Sequence, residues 1–258
     1  MEAFQVTEML GQVRDGSPAV TLHVEQIAPP TVLMDNIKIL TSDGLYLEGI
    51  AASSIRYTVF KRLIDIAASC FLIALFAPLF VVIAAFVGMS SPGPILYKER
   101  RVGRFGRHFT IYKFRSMYTR AYLNSFLNYR ENEHDELKRR LSHKHVHDPR
   151  ITRVGAVLRK LSLDELPQLF NILKGDMSLV GPRPVVDAEM ASYGSYAIFY
   201  KLVFPGLSGL WQVSGRNDVC FKTRVRLDVT YCRRWSLLLD LAIMARTIPA
   251  VLKRKGAY

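Results

Sequence analysis

Two adjacent carboxylates, Asp164 and Glu165, are the sequence feature best suited to chemistry. They follow two basic residues, and the apolar residues on both sides have the spacing of short helices. A positive surrounding field keeps a carboxylate ionised, which suits a nucleophile or a Mg²⁺ ligand and does not suit a proton donor. A structural interpretation is open as well. Ser162 and Glu165 satisfy the S-x-x-E capping box, whereas Pro167 fits the first helical turn better if Asp164 is the N-cap.

Two loops supply arginines for such a site. An anionic nucleophile that attacks a diphosphate must overcome charge repulsion, so the reaction would need a divalent metal and arginines near the phosphorus. Arg183 stands between two prolines in Gly181–Pro184, which restricts the backbone and predicts rigid presentation of its side chain. The loop 205–218 combines three glycines with Trp211 and Arg216, a composition that allows backbone approach to a ligand beside a phosphate-binding arginine.

The element that must anchor this site is the uncharged run from Ile66 to Met89. A helix of that length can cross a hydrocarbon core of roughly 30 Å. Basic residues flank both ends, and their tendency to remain cytoplasmic places both ends on one side of the membrane. Pro78, near the middle, would kink the helix. We therefore expect a re-entrant helix over about 63–89, while a straight span and a buried helix of a soluble protein remain open alternatives.

The remaining elements are predicted to be short. Alternating residues around Ile95 and from His108 to Phe114 predict strands that bring Lys113 and Arg115 near a surface. Helical spacing predicts an amphipathic helix within 119–142, two short helices beside the carboxylate pair, and an interfacial amphipathic helix at the C-terminal end, from Trp235 to Leu252.

Composition bounds the function classes. The 258 residues include 35 Lys and Arg against 22 Asp and Glu, a formal charge of +13 that favours polyanionic partners such as lipid headgroups, nucleotides or nucleic acid. The three cysteines lack CxxC spacing and indicate neither a disulfide framework nor a zinc site. Residues 1–55 carry only weak strand and turn signals and are predicted to be an appendage of unknown role. Residues 56–258 are predicted to be one membrane-anchored catalytic domain.

Eight ordered motifs over about residues 57–258 together resemble the bacterial sugar transferase family, the monotopic phosphoglycosyl transferases. The motifs are Lys61-Arg62-x-x-Asp65, the proline-broken apolar run, Ser91–Pro94, Tyr112–Met117, Asp148–Arg150, Ser162–Leu169, Gly175–Pro184 and Trp211–Asn217. The family's re-entrant helix is usually broken at a Ser-Pro pair, whereas this chain has Ala77-Pro78.

The resemblance implies an α-rich α/β fold in a monotopic membrane protein, with a kinked re-entrant helix, interfacial helices and a small strand element. It implies transfer of a hexose-1-phosphate, galactose or glucose, from a UDP-sugar to undecaprenyl phosphate with release of UMP. That reaction begins the assembly of exopolysaccharide or O-antigen repeat units. It also implies a place on the cytoplasmic face of the bacterial inner membrane, with membrane lipids as partners and no role for nucleic acid. Whether the chain forms a homo-oligomer is left open.

Residue roles follow from the same resemblance. Asp164 matches the nucleophile, Glu165 matches the second residue of the pair, and both are expected to hold Mg²⁺. The candidate substrate-binding residues share a positive charge and are Arg159, Arg183, Arg216, Lys113 and Arg115. Asp240 matches a further acidic position near the site.

Two other functions remain open at this stage. A metal-dependent UDP-sugar pyrophosphatase would use the same carboxylates to activate water. A non-enzymatic basic membrane adaptor would explain the charge and the apolar helix. It gives no reason for a carboxylate pair among arginines.

Overall fold

The structure, a computed structural model, describes residues 39–40, 46–47, 55–119, 121–123, 148, 150–215 and 219–252. Most of the helix expected within 119–142 lies outside these residues. The chain divides into two compact units, Met1–Ile50 and Ala51–Tyr258. In the first unit, the strands β1 (Ile39–Leu40) and β2 (Tyr46–Leu47) form an antiparallel pair.

The second unit is rich in helices. Its elements, in chain order, are α1 (Ile55–Ser90), β3 (Leu96–Val102), β4 (His108–Phe114), α2 (Arg153–Lys160), α3 (Gln168–Lys174), β5 (Ser178–Val180), α4 (Asp187–Ala191), α5 (Ala197–Leu202), β6 (Gly206–Ser208), α6 (Leu210–Val213), α7 (Phe221–Arg234) and α8 (Leu237–Leu252). Short 3₁₀ turns occupy Arg104–Gly106, Leu163–Glu165 and Gly194–Tyr196. This architecture agrees with the predicted α-rich class, and the strands predicted near Ile95 and at 108–114 are confirmed.

Helix α1 is the longest element, with 36 residues and a length of roughly 54 Å. It is the one helix, among the residues described, that is long and apolar enough to cross a membrane, and only 11% of its most apolar stretch is buried by the protein. So much exposed apolar surface indicates membrane association. The helix continues through Pro78. The kink and the re-entrant path therefore stay predictions.

The first turns of α1 are fastened to three later elements. Lys61 forms a 2.5 Å ion pair with Asp240 of α8. Arg62 donates to the carbonyls of Ile172 and Leu173, in the last turn of α3, where carbonyls lack the usual partner one turn further along the helix. Asp65 accepts a 3.0 Å hydrogen bond from the backbone N–H of Leu179 in β5. The motif Lys61-Arg62-x-x-Asp65 thus anchors the helix to the rest of the unit.

The other end of α1 packs into the same unit. Ile83 and Val87 form a buried cluster with Phe114 of β4 and Leu158 of α2. The Phe80 ring lies 5.6 Å from that of Phe114, in a tilted arrangement favourable for aromatic pairs. Both ends of the helix therefore contact the domain that carries the carboxylate pair.

The two sheets of this unit have two strands each. β3 and β4 form an antiparallel hairpin in which Leu96 pairs with Phe114 and Val102 with His108. β5 and β6 run parallel. A Cβ atom on Gly206 would lie 2.0 Å from the backbone nitrogen of Gly181, so glycine is needed where these two segments meet.

Helix α2 approaches the hairpin at a second glycine. The Thr152 side chain caps its N-terminus by accepting a 2.8 Å hydrogen bond from the Gly155 N–H. A Cβ atom on Gly155 would stand 1.9 Å from the Ser116 carbonyl oxygen. The close approach fixes α2, and with it the segment that follows, against the strand carrying Lys113.

Candidate active site

The carboxylate pair lies on an irregular turn between α2 and α3. Ser162, the residue before the 3₁₀ turn, has φ of 56° and ψ of 21°, a left-handed conformation that costs a residue other than glycine about 1–3 kcal/mol. Its side chain makes no capping hydrogen bond, and α3 has Pro167 as its N-cap residue. Ser162 is the N-cap residue of the 3₁₀ turn but lacks the predicted capping-box hydrogen bond, and the alternative register with Asp164 as N-cap is wrong. The strained residue Ser162 thus directly precedes the turn that carries Asp164 and Glu165, and such residues cluster at functional sites.

Glu165 is surrounded by cations. Its Oε1 lies 2.8 Å from the Lys113 Nζ and 3.9 Å from an Nη of Arg183. Lys113 extends from β4, whereas Arg183 comes from the loop after β5, so three separate elements meet here. Lys113 and Arg183 are thus found beside the pair, as expected for groups that would neutralise phosphate.

Asp164 has a different environment from the one the sequence suggests. Its burial, and after that the adjacent Glu165 carboxylate, raise the pKa of Asp164 above its ordinary value, against the opposing influence of Lys113 and Arg159. The expectation that nearby cations dominate at Asp164 is therefore wrong, because desolvation and carboxylate repulsion outweigh them. Additional positive charge at the pair would favour the ionised form.

The loop carrying Arg183 is clamped at both ends. The Gly206 N–H donates to the Pro182 carbonyl at 2.7 Å, and Arg101 donates to the Pro184 carbonyl at 3.1 Å. Arg183 itself keeps 39% of its side chain exposed. The backbone is fixed while the guanidinium faces solvent, in agreement with the predicted rigid presentation.

A cavity of about 230 Å³ opens beside Glu165. Its lining combines cationic, amide and apolar groups: Arg101, Ile111, Lys113, Glu165, Gln168, Arg183, Pro184, Gly206, Leu207 and Gln212. A larger cavity of about 370 Å³ surrounds Lys61 and Asp65 at the first turns of α1, without either member of the pair. The smaller cavity is the candidate active site because it joins the carboxylate turn to the phosphate-compatible cations.

The comparisons with known proteins agree with this geometry. A sequence model described as bacterial sugar transferase matches residues 56–254. The chain belongs to the bacterial sugar transferase family.

Three members of the family with known names are similar in sequence to this sugar transferase. It is 49% identical over 200 residues to "Exopolysaccharide production protein ExoY" of Rhizobium meliloti, covering 77% of this chain and 88% of the relative. It is 46% identical over 200 residues to "Undecaprenyl-phosphate galactose phosphotransferase" of Salmonella typhimurium, covering 77% of this chain and 41% of that longer protein. It is 40% identical over 207 residues to "UDP-glucose:undecaprenyl-phosphate glucose-1-phosphate transferase" of Caulobacter vibrioides, with coverages of 77% and 72%.

Arg115 is placed differently from the prediction. Only 4% of it is exposed, so the expectation that it lies near a surface is wrong. Its guanidinium donates to the carbonyls of Pro94 at 2.6 Å, Val87 at 3.0 Å and Ser91 at 2.5 Å. In this sugar transferase Arg115 joins the last turn of α1 to the two carbonyls of the turn that follows it.

Asp240 is also part of the scaffold. Besides Lys61, it accepts hydrogen bonds from the Tyr231 hydroxyl at 2.8 Å and the Trp235 indole N–H at 3.3 Å. The residue is 4% exposed. These contacts place it in the anchor of α1.

Two further candidates have mixed outcomes. Arg159, in the last turn of α2, exerts its charge on Asp164 and so belongs with the pair. Arg216 lies outside the described residues. The glycines expected to approach a ligand approach protein instead, because a Cβ atom on Gly209 would lie 2.4 Å from the Gly181 carbonyl oxygen. Trp211 is buried and packs 4.7 Å from the Arg224 guanidinium.

Sequence reasoning missed three side chains that line the cavity. Arg101 lies on β3, Gln168 begins α3, and Gln212 lies on α6. Glutamine has no characteristic spacing that would indicate a binding site. Arg101 stands in a run of charged residues, a pattern typical of the solvent-exposed face of a strand. Only the fold brings these three groups together.

Proposed function

We propose that this protein transfers a hexose-1-phosphate from a UDP-sugar to undecaprenyl phosphate, releasing UMP. The observation that carries the proposal is the strained carboxylate turn beside a cavity with Lys113, Arg183 and Arg101. Family membership supports a sugar transferase, and the names of the Salmonella and Caulobacter relatives support galactose or glucose as the sugar and undecaprenyl phosphate as the acceptor. Assembly of exopolysaccharide or O-antigen repeat units is the corresponding process.

The reaction proceeds in two displacements at one phosphorus. An ionised Asp164 oxygen attacks the β-phosphorus of the UDP-sugar and forms an aspartyl–phosphate bond. The bond between the β-phosphorus and the oxygen that bridges the two phosphates breaks, and UMP leaves with the electron pair of the broken bond. A phosphate oxygen of undecaprenyl phosphate then attacks the same phosphorus. The aspartyl bond breaks, and the products are undecaprenyl diphosphate sugar and free Asp164. Lys113 and Arg183 offset the repulsion between the anionic groups.

Mg²⁺ is the proposed metal. The described residues contain no group of three or more His, Cys, Asp or Glu side chains arranged to hold an ion. Protein sites for Mg²⁺ nevertheless commonly use one or two carboxylates, with water and substrate phosphate as the other ligands. Asp164 and Glu165 fit that pattern, and their mutual repulsion would be relieved by a shared cation. When bound, the ion supplies positive charge at the transferring phosphoryl group.

The path of α1 is proposed to be re-entrant. The beginning of α1 is held to the catalytic unit by Lys61, Arg62 and Asp65. Near its end, the Val87 carbonyl accepts a hydrogen bond from the buried Arg115 of the same unit. A helix that crossed the bilayer would place those two ends on opposite faces, so one set of contacts would have to break. Both ends are therefore assigned to the cytoplasmic face of the inner membrane. Exposed Leu238, Leu241 and Ile248 of α8 would lie in the same interface.

Cysteine labelling tests this path. The native Cys70, Cys220 and Cys232 are replaced by alanine, and single cysteines are introduced as Phe60→Cys and Tyr97→Cys, both at exposed positions. A membrane-impermeant thiol reagent should reach both positions from the cytoplasmic side. Labelling of the two positions from opposite sides would reject the re-entrant path.

The activity test compares wild type with Asp164→Asn in detergent micelles containing Mg²⁺, undecaprenyl phosphate, and UDP-galactose or UDP-glucose. Wild type should release UMP and form a lipid-linked sugar, and Asp164→Asn should lose at least about a thousandfold in rate. Asp187→Asn, at an exposed carboxylate of α4, is the matched control and should retain activity. Release of UMP together with free sugar phosphate, and no lipid product, would indicate a pyrophosphatase. Activity that survives Asp164→Asn would contradict the mechanism.

A further inference from the structure

The lining of the cavity beside Glu165 includes two chemically distinct kinds of side chain. Arg101, Lys113 and Arg183 are cations, which suit phosphate oxygens. The carboxamide of Gln212 is uncharged and lies with the apolar Leu207 on the same lining. Uncharged and apolar side chains suit a ligand group other than a phosphate.

Gln212 carries a buried acceptor without a partner. Its Nε2 donates to the Leu207 carbonyl at 3.3 Å, and only the amide nitrogen can donate, so this contact fixes which end of the carboxamide is oxygen. The Oε1 is buried and has no hydrogen-bond partner among the residues that the structure describes. A Cβ atom on Gly209 would lie 2.9 Å from Oε1, so glycine there leaves room for the carboxamide. An unpaired buried acceptor is unfavourable, and a donor that pairs with it therefore gains binding energy.

Arg101, which also lines this cavity, carries a second unpaired polar atom. One Nη donates to the Pro184 carbonyl and the other is paired with Glu99. Its buried Nε has no partner within the described part of the chain. Two residues of the lining thus carry one unused acceptor and one unused donor, both of them buried atoms, and a hydroxyl group can both donate and accept.

The reaction geometry identifies which hydroxyls can reach these atoms. The transferred phosphorus is adjacent to Asp164, and the sugar is bonded directly to that phosphate, while the uracil is separated from it by the second phosphate and a ribose. A UDP-sugar contains a hexose, two phosphates, a ribose and a uracil, and the cavity at the carboxylate turn would contact the part nearest the transferred phosphorus. Phosphate oxygens cannot donate to Oε1, whereas hexose hydroxyls can.

We infer that Gln212 accepts a hydrogen bond from a hydroxyl of the transferred hexose, and that the Arg101 Nε–H donates to an oxygen of the same sugar. Gln212 is then a specificity-determining residue, brought into contact by a small rotation of its carboxamide. The inference rests on the proposed function, because it places the β-phosphate of a UDP-sugar at Asp164.

The test uses the full-length protein and the UDP-hexose that wild type transfers best, together with the four analogues that lack one hydroxyl at C2, C3, C4 or C6. Wild type should lose about tenfold to hundredfold in kcat/KM with one analogue. Gln212→Met should lose a similar factor with the complete sugar, and should show no further loss with that analogue. Gln212→Glu keeps an acceptor oxygen and should keep the preference for the hydroxyl.

Three results would overturn the inference. One is a wild-type profile in which no single hydroxyl matters by tenfold. Another is a Gln212→Met variant whose preference among the analogues matches that of wild type, which would make the residue structural. The third is a wild-type protein that transfers no hexose phosphate, which would reject the proposed function as well. If wild type transfers hexose phosphate but Gln212→Met keeps the wild-type preference among the analogues, only the contact between Gln212 and the hexose is rejected. If Gln212→Met does not fold, Gln212→Asn, whose oxygen is withdrawn by one methylene, should lose the preference in its place.

Discussion

Replacement of the buried Arg115 by methionine should destabilise the protein without a specific effect on donor binding. The guanidinium donates to three carbonyls, those of Val87, Ser91 and Pro94, and methionine keeps only the apolar stem. Hydrogen bonds from a charged donor contribute about 1.5–3 kcal/mol each, and three bonds from one side chain do not add fully. We therefore expect a loss of about 3–5 kcal/mol. For a domain of this size, that lowers the unfolding temperature by roughly 10 °C.

Thermal unfolding in detergent can be followed by tryptophan fluorescence, because both tryptophans, Trp211 and Trp235, are buried. Arg100→Met, at an exposed arginine of β3, is the matched control and should change the unfolding temperature little. Arg115→Lys should lie between wild type and Arg115→Met, since one ammonium cannot reproduce the planar fork of a guanidinium. If Arg115→Met unfolds at the wild-type temperature and instead raises KM for the UDP-sugar, Arg115 binds substrate and its structural assignment is wrong.

Two further predictions concern buried carboxylates. Asp240→Asn leaves the Lys61 ammonium buried without its ion partner and should lower the free energy of unfolding by about 3–5 kcal/mol. The double variant Lys61→Met/Asp240→Asn should recover part of that loss in thermal unfolding. Strictly additive losses would show that the two residues are not coupled. Burial raises the pKa of Asp228 from 3.8 to about 7, so the folded state holds this proton more tightly than the unfolded state does. The contribution of Asp228 to stability therefore falls as the pH rises from about 4 to about 7. Asp228→Asn should therefore gain about 2–3 kcal/mol relative to wild type between pH 5 and pH 8, and a constant difference between the two unfolding curves would contradict this assignment.

The elements that depend on local pattern were predictable from sequence. The uncharged run identified α1, alternation identified β3 and β4, and helical spacing identified α8. Lys113 and Arg183 were expected near the carboxylate pair and lie beside Glu165. These predictions succeeded because each rests on a periodicity or a charge within a few residues of chain.

The parts that failed depend on tertiary approach. Burial of Arg115 arises because β4 ends beside the last turn of α1 and the turn after it, and no local pattern encodes that meeting. Ser162 has a left-handed conformation and lacks the capping-box hydrogen bond that its sequence predicts. The raised pKa of Asp164 comes from burial that only the folded chain produces. Gly206 and Gly209 looked like ligand-binding glycines because the sequence does not show that Gly181 is their neighbour.

The anchoring of α1 also constrains the order of events during synthesis. Lys61 pairs with Asp240, which lies 179 positions later, and Asp65 pairs with the Leu179 amide, 114 positions later. At roughly 5–20 residues per second, the ribosome needs on the order of 10–40 s to extend the chain from Lys61 to Asp240. During synthesis the ammonium of Lys61 and the carboxylate of Asp65, one helical turn apart, have only each other until their later partners are made. Two charged side chains favour the aqueous boundary of a membrane over its apolar interior, so we expect the first turns of α1 to stay at that boundary until β5 and α8 have been synthesised.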